Sequence, residues 1–258
     1  MIDLIVAELL KIKSAPFVRG LLFFFLMLPL VLVVLFGIFV GDDNPLRFPQ
    51  NLGPTGDIAM VVGVLLPPLL LSWALGQEQT NDTWKLVFAR HPRRVDVYVA
   101  KVVVVAFVVV AFFAVNVCAG VVVQDIVGRV VGQTAGTGGV VAEQATVHML
   151  GGLLMGLVTS SPAMMATVLA QKSGGMAGTI TGISLVFVQG ILDSGGPRTA
   201  TFQRPCFYFA AQLLGADTRD TERLDAGFAV LTLALWVLVP VVVTVVAVTT
   251  KDVESGNG

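Results

Sequence analysis

The stretch Gln77–Lys101, QEQTNDTWKLVFARHPRRVDVYVAK, decides how this chain is read. It carries five basic residues (Lys85, Arg90, Arg93, Arg94 and Lys101), yet both flanking runs are apolar with no Asp, Glu, Lys or Arg in their cores. A charged, helix-forming insert between two such runs predicts an exposed loop joining two membrane spans. Asn81 or Asp82 is placed to cap a helix opening at Thr83, and Pro92 to end it. Trp84, Leu86, Val87 and Phe88 interleave with the charges, which suits a docking element. A solvated loop that only fixes topology, or a contact with lipid headgroups, is the alternative.

The rest of the chain agrees with a membrane setting. Its mean hydropathy is +0.87 and 13% of its 258 residues are charged, against about 25% in soluble domains. A span needs roughly 20 apolar residues. Six segments qualify: residues 20–40, 58–75, 102–123, 147–170, 174–192 and 226–249. Valine is abundant in them, but a spanning backbone must satisfy its own hydrogen bonds, so helix is expected over strand. The segments lack the alternation of a membrane barrel. The expected fold is an all-α integral membrane protein, one transmembrane domain over 1–258 with six transmembrane helices. The first run is too long for a cleaved signal peptide and is read as a retained span.

Lysine and arginine counts set the expected orientation. Six spans put both termini on one side. With them lie Lys11, Lys13, Arg19, Lys85, Arg90, Arg93, Arg94, Lys101, Lys172 and Lys251. The other side holds Arg47, Arg129, Arg198, Arg204, Arg219 and Arg223 in longer loops. Both termini are expected in the cytoplasm, in a multi-pass protein of the cytoplasmic membrane.

Residues 1–17 place Ile2, Ile5, Leu9 and Ile12 on one stripe, with Glu8 and Lys11 elsewhere, and break at Pro16. This predicts an amphipathic helix in the inner interface. The outer segments are expected at Gly41–Asp57, Gln124–Thr146 and Asp193–Asp225. Within the last, Thr201–Gly215 is apolar and aromatic but too short to cross. It reads as a re-entrant segment before the sixth span, or as an aromatic belt at the surface.

Several chemistries lack their residues. There is no phosphate-binding G-x-x-x-x-G-K-[ST] sequence and no Gly-Lys pair. His91 and His148 are the only histidines and are expected on opposite faces, so neither a zinc nor a bis-histidine haem site is indicated. Cys118 and Cys206 form no disulfide framework. A net charge of −1 gives no basic surface for nucleic acid. The absence of carboxylates and lysines from the span cores argues against ion-coupled transport. No cofactor or metal is expected on this chain.

The polar residues inside spans are Asn116, Thr159, Ser160 and Ser161 beside Pro162, and Thr179, Thr181, Ser184 and Gln189. They read as helix–helix glue or as the lining of a pathway. Gly174-x-x-x-Gly178-x-x-x-Gly182 is a ridge for close helix packing, within one chain or across a dimer.

Taken together, Glu8, Leu9, Lys11 and Lys13 before the first span, Glu78 after the second, Thr83–Leu86, the turn Pro92–Arg94 and Lys101 opening the third span resemble the permease subunit of ABC-2 type ABC transporters. The closest likeness is to short bacterial permeases of drug or peptide-antibiotic export and resistance. The resemblance implies that the loop after span two carries a coupling helix, with Glu78, Trp84, Lys85, Arg90, Arg93 and Arg94 in the ATPase-coupling region. It implies two copies of a cytoplasmic ABC ATPase subunit using ATP and Mg, a second permease in a homo- or heterodimer, and efflux of an amphipathic, lipid-like or drug-like substrate. Contact with membrane lipids is expected too. A non-transport membrane scaffold subunit and an intramembrane lipid-modifying enzyme are the alternatives. Catalytic carboxylates or histidines clustered at one depth, which the second would need, are not found.

Overall fold

The computed structural model describes residues 2–39, 53–81, 83, 94–130, 138–170, 173–194 and 226–250. These residues form seven helices and no strand: α1 (Ile2–Ser14), α2 (Pro16–Phe39), α3 (Gly53–Thr80), α4 (Arg94–Val130), α5 (Gly138–Leu169), α6 (Gly174–Ser194) and α7 (Ala226–Thr250). Each of the six expected apolar segments falls in its own helix to within a residue. Among the described residues, Arg94–Gly120, Leu150–Leu169 and Leu233–Thr250 are long and apolar enough to cross a bilayer, and the bent pair α1–α2 would make a fourth. Of the expected coupling loop 77–94, residues 82 and 84–93, with nearly all of the helix expected from Thr83 to Pro92, lie outside the described residues, as does the segment Thr201–Gly215.

Two expected loops shrink. Helix α3 begins at Gly53, inside the segment expected to be an outer loop, with Pro54 as its second residue. Proline suits the first turn of a helix, where its missing amide has no partner to lose. Helix α4 continues to Val130 and α5 starts at Gly138, so most of the expected loop 124–146 is helical. The 37 residues of α4 extend about 55 Å at 1.5 Å per residue, well past a hydrocarbon core of about 30 Å. Nothing obliges a helix to stop where the bilayer does.

Helix α3 is the centre of the bundle, packing on α2, α4, α5 and α6, while α7 sits against α5 and α4. The predicted glycine ridge is used within the chain. A Cβ on Gly178 would fall 2.5 Å from the Ser72 hydroxyl and 2.7 Å from the Ala163 carbonyl. One on Gly182 would meet Pro68 at 2.5 Å, and one on Gly76 would meet the Gly175 amide at 2.5 Å. Helices α3, α5 and α6 therefore approach to backbone contact, which requires residues without side chains. Earlier along the same stripe of α5, Gly152 receives Phe113 of α4 and Gly156 receives Pro67 of α3.

The faces left over are apolar. Val99, Val103, Phe107, Val110 and Val122 of α4 are exposed, while Lys101 and Asn116 of the same helix are buried. Likewise α7 exposes Leu231, Leu235, Leu238 and Val242 and buries Thr244. Polar groups inside and valines outside is the pattern expected where the solvent is lipid.

Candidate functional site

Helices α1 and α2 meet at a 72° bend, with Ala15 as the break and Pro16 opening α2. This sets α1 across the end of the bundle, against the start of α4. Its faces differ from the expected stripe. Ile5 and Ile12 turn to the core, but Ile2 and Leu9 are exposed beside Val6 and Leu10. Glu8 and Lys11 turn inward, because the bundle offers them charged partners that lipid cannot.

Those partners are Glu78, near the end of α3, and Lys101, two turns into α4. Lys101 is fully enclosed at 0% exposure and Glu78 is buried at 5%. Lys101 Nζ lies 2.9 Å from Glu8 Oε1 and donates to Glu78 Oε1 at 3.0 Å. Lys11 Nζ donates to the same Glu78 oxygen and sits 3.9 Å from Glu8 Oε1. Two carboxylates and two ammonium groups thus close a neutral junction between three helices. Taking four charges from water is costly, and only mutual pairing at hydrogen-bond distance offsets it. Tyr98, nearly one turn before Lys101, adds a side-chain hydrogen bond to Gln79 between α4 and α3.

The backbone of Glu78 is held as well. Its carbonyl accepts the Thr83 amide at 3.1 Å and the Thr83 hydroxyl at 3.4 Å, while the Asn81 amide donates to the Gln77 carbonyl at 3.1 Å. The 83-to-78 bond spans five residues, as in a helix-terminating Schellman turn. Asn81 is therefore engaged through its amide in closing α3.

Beside the junction a groove of about 480 Å³ opens between α2, α3 and α6. Phe17, Leu69, Trp73 and Met176 give it an apolar wall; Gln77, Asn81 and Thr179 supply amide and hydroxyl groups. Among the described residues no charged side chain lines it. Gln77 Oε1 is buried with no hydrogen-bond partner among the described residues.

The sequence-derived candidates are dispersed through the bundle. Glu78 is in the junction, and Arg94 is the first residue of α4. Trp84, Lys85, Arg90 and Arg93 lie outside the described residues. Asn116 is buried between α4 and α2, its Nδ2 donating to the Phe25 carbonyl at 3.3 Å. Thr159 and Ser161 are buried in α5 and bond back to their own helix, to the carbonyls of Met155, Gly156 and Leu157. Ser160 is buried with its hydroxyl unpartnered. None of these four is among the groove-lining residues. Gln189 lies in α6, its side chain outside the described part. The junction roles of Glu8, Lys11 and Lys101 were missed from sequence. Their signal was present, since Lys101 is a lysine at the head of an apolar run and Glu8 and Lys11 share a helix face.

Among the described residues no group of three or more His, Cys, Asp or Glu could hold a metal ion. No curated protein and no solved structure matches the chain. A family model described as ABC-2 family transporter protein matches residues 4–190. That match runs from α1, through the junction and the groove, into α6. By that match over most of its length, the chain belongs to the ABC-2 family and is an ABC-2 type permease.

Proposed function

We propose that this permease is the membrane half of an ATP-driven exporter, powered by a separate cytoplasmic ATPase that binds ATP and Mg. In this reading the junction end of the bundle faces the cytoplasm. Glu78 lies near the end of α3 and Lys101 near the start of α4, so the junction ties together the two helix ends that the basic stretch 84–93 connects in sequence. ATP binding would draw two ATPase copies together, and the loops would carry that movement into α3 and α4.

The single observation that carries this reading is the ABC-2 match over α1 to α6, with a buried ionic joint at the root of the basic loop. The groove between α2, α3 and α6 supports a cargo route. Its aromatic and thioether wall and its uncharged polar groups suit an amphipathic molecule better than an ion. A second permease, identical or not, would complete the route on the open side. The reading includes efflux of drug-like or lipid-like molecules, and resistance to them.

Co-expression with an ABC ATPase encoded beside it, followed by affinity purification and reconstitution in nanodiscs, tests this. The expected result is a stable complex in which the permease changes the rate of ATP hydrolysis. A chain that never co-purifies with such an ATPase, or that moves cargo with a hydrolysis-dead one, would overturn it.

A further inference from the structure

Glu78 is gripped at both ends. Its carboxylate takes two ammonium groups, one from α1 and one from α4, and its carbonyl takes the amide and hydroxyl of Thr83 in the turn that leaves α3. Three helices and the first residues of the basic loop therefore meet on one residue. We propose that Glu8, Lys11, Glu78 and Lys101 form a rigid joint that positions the basic loop, so that α1, the end of α3 and the start of α4 move as one lever when that loop is pushed.

The composition of the cluster favours a joint over a ligand site. Its two positive and two negative groups cancel, leaving no net charge to attract an ion. It is also a poor choice for stability alone, because apolar residues of like volume commonly stabilise as well or better. What charged hydrogen bonds add is direction. The ammonium groups must hold hydrogen-bond distance from their oxygens to within a few tenths of an ångström, which fixes α1 against α3 and α4 in one register.

Helix α1 needs such a tie. It packs on α4 and more lightly on α2, and the face of Ile2, Val6, Leu9 and Leu10 is exposed among the described residues. The Lys11–Glu78 bond carries it to the end of α3. Lys101 is the fulcrum, because it alone reaches both carboxylates within 3.0 Å.

The neutral double variant E8Q/K11M releases α1 but leaves Glu78 and Lys101 paired. In the permease alone, hydrogen exchange at the Asn81 and Thr83 amides should quicken about tenfold. With the ATPase and ATP, and no added cargo, the complex should still assemble while the permease-dependent change in hydrolysis falls about tenfold. The full reversal E8K/K11E/E78K/K101E restores complementary pairs and should recover both. Lys101→Arg should retain both readouts where Lys101→Met loses them, which keeps the idea testable if either multiple variant fails to fold. Unchanged exchange in E8Q/K11M, or wild-type hydrolysis in Lys101→Met, would overturn the joint. The inference rests on the proposed ATP-driven reading only for its second readout. If the wild type affects no ATPase, that reading fails, and the exchange result still decides whether the joint exists.

Discussion

Asn116 Nδ2 donates to the carbonyl of Phe25 at 3.3 Å, and Phe25 lies four residues before Pro29 in α2. Proline has no amide proton, so it deprives the carbonyl four residues earlier of its helical partner. A side chain from α4 replaces what α2 lost. Asn116→Leu should therefore destabilise the bundle by about 1–2 kcal/mol, at the upper end for an interhelical bond in a membrane. Pro29→Ala returns an amide to Phe25, so the double variant should recover much of the loss. A double-mutant cycle on thermal unfolding in nanodiscs checks this; strictly additive losses would separate the two residues.

The joint makes a stability prediction independent of any motor. Lys101→Met leaves buried Glu78 and partly buried Glu8 with one ammonium group between them. The expected cost is about 3–5 kcal/mol, the usual result of removing one partner from a buried ionic group. Adding Glu8→Gln restores neutrality and should return most of it. Unfolding midpoints of the single and double variants give the answer.

The glycine seam should tolerate no side chain. At Gly178 an added methyl would press on the Ala163 carbonyl and the Ser72 hydroxyl. Gly178→Ala should cost about 1–3 kcal/mol by overpacking, and Gly178→Leu should block folding. Gly20, whose added Cβ would meet nothing within 4 Å, is the matched control for alanine. Yield of monodisperse protein after detergent extraction is the measurement.

Cargo handling should respond to the groove. Trp73→Ala removes its largest aromatic wall, and Met176→Trp fills its mouth at a residue 70% exposed. Either should raise the concentration of an amphipathic drug needed for half-maximal ATPase stimulation by about tenfold, the equivalent of 1.4 kcal/mol. Insertion should be unaffected, because both changes leave their helices apolar; Trp73 also packs on the core, so Met176→Trp is the cleaner of the two tests.

The basic turn offers the complementary test. R93E/R94E reverses charge at the loop that the resemblance assigns to the ATPase. Stimulation of hydrolysis should fall about tenfold or more, as expected on reversing charges at an interface, with membrane insertion intact. Wild-type stimulation would remove both residues from the docking surface.

The helical class and the placement of the apolar helices were legible because hydrophobic length is a one-dimensional property. Twenty apolar residues without a charge need no partner to be recognised. The Gly174–Gly178–Gly182 ridge was legible for the same reason, since a four-residue period puts small residues on one face. Its partner was not. Only the packing put Pro68, Ser72 and Ala163 against it and so chose an intramolecular contact. Asn116 was visible as a polar residue in a span, and Pro29 as a proline in another. That one repairs the other needed both helices side by side.

The same division holds at the joint. The order of residues determined that Glu78 and Lys101 bracket a basic loop, and that Glu8 and Lys11 share a turn of an amphipathic helix. Which face of that helix turned inward was decided by tertiary structure. Apolar side chains can face lipid at little cost, whereas unpaired charges cannot, so α1 gives its charged pair to Glu78 and Lys101 and turns Ile2, Leu9 and Leu10 to the surface, keeping Ile5 and Ile12 in the core. Periodicity marks a face but not what lies across from it, and a charge separated by 67 or 93 positions along the chain becomes a neighbour only when the bundle closes.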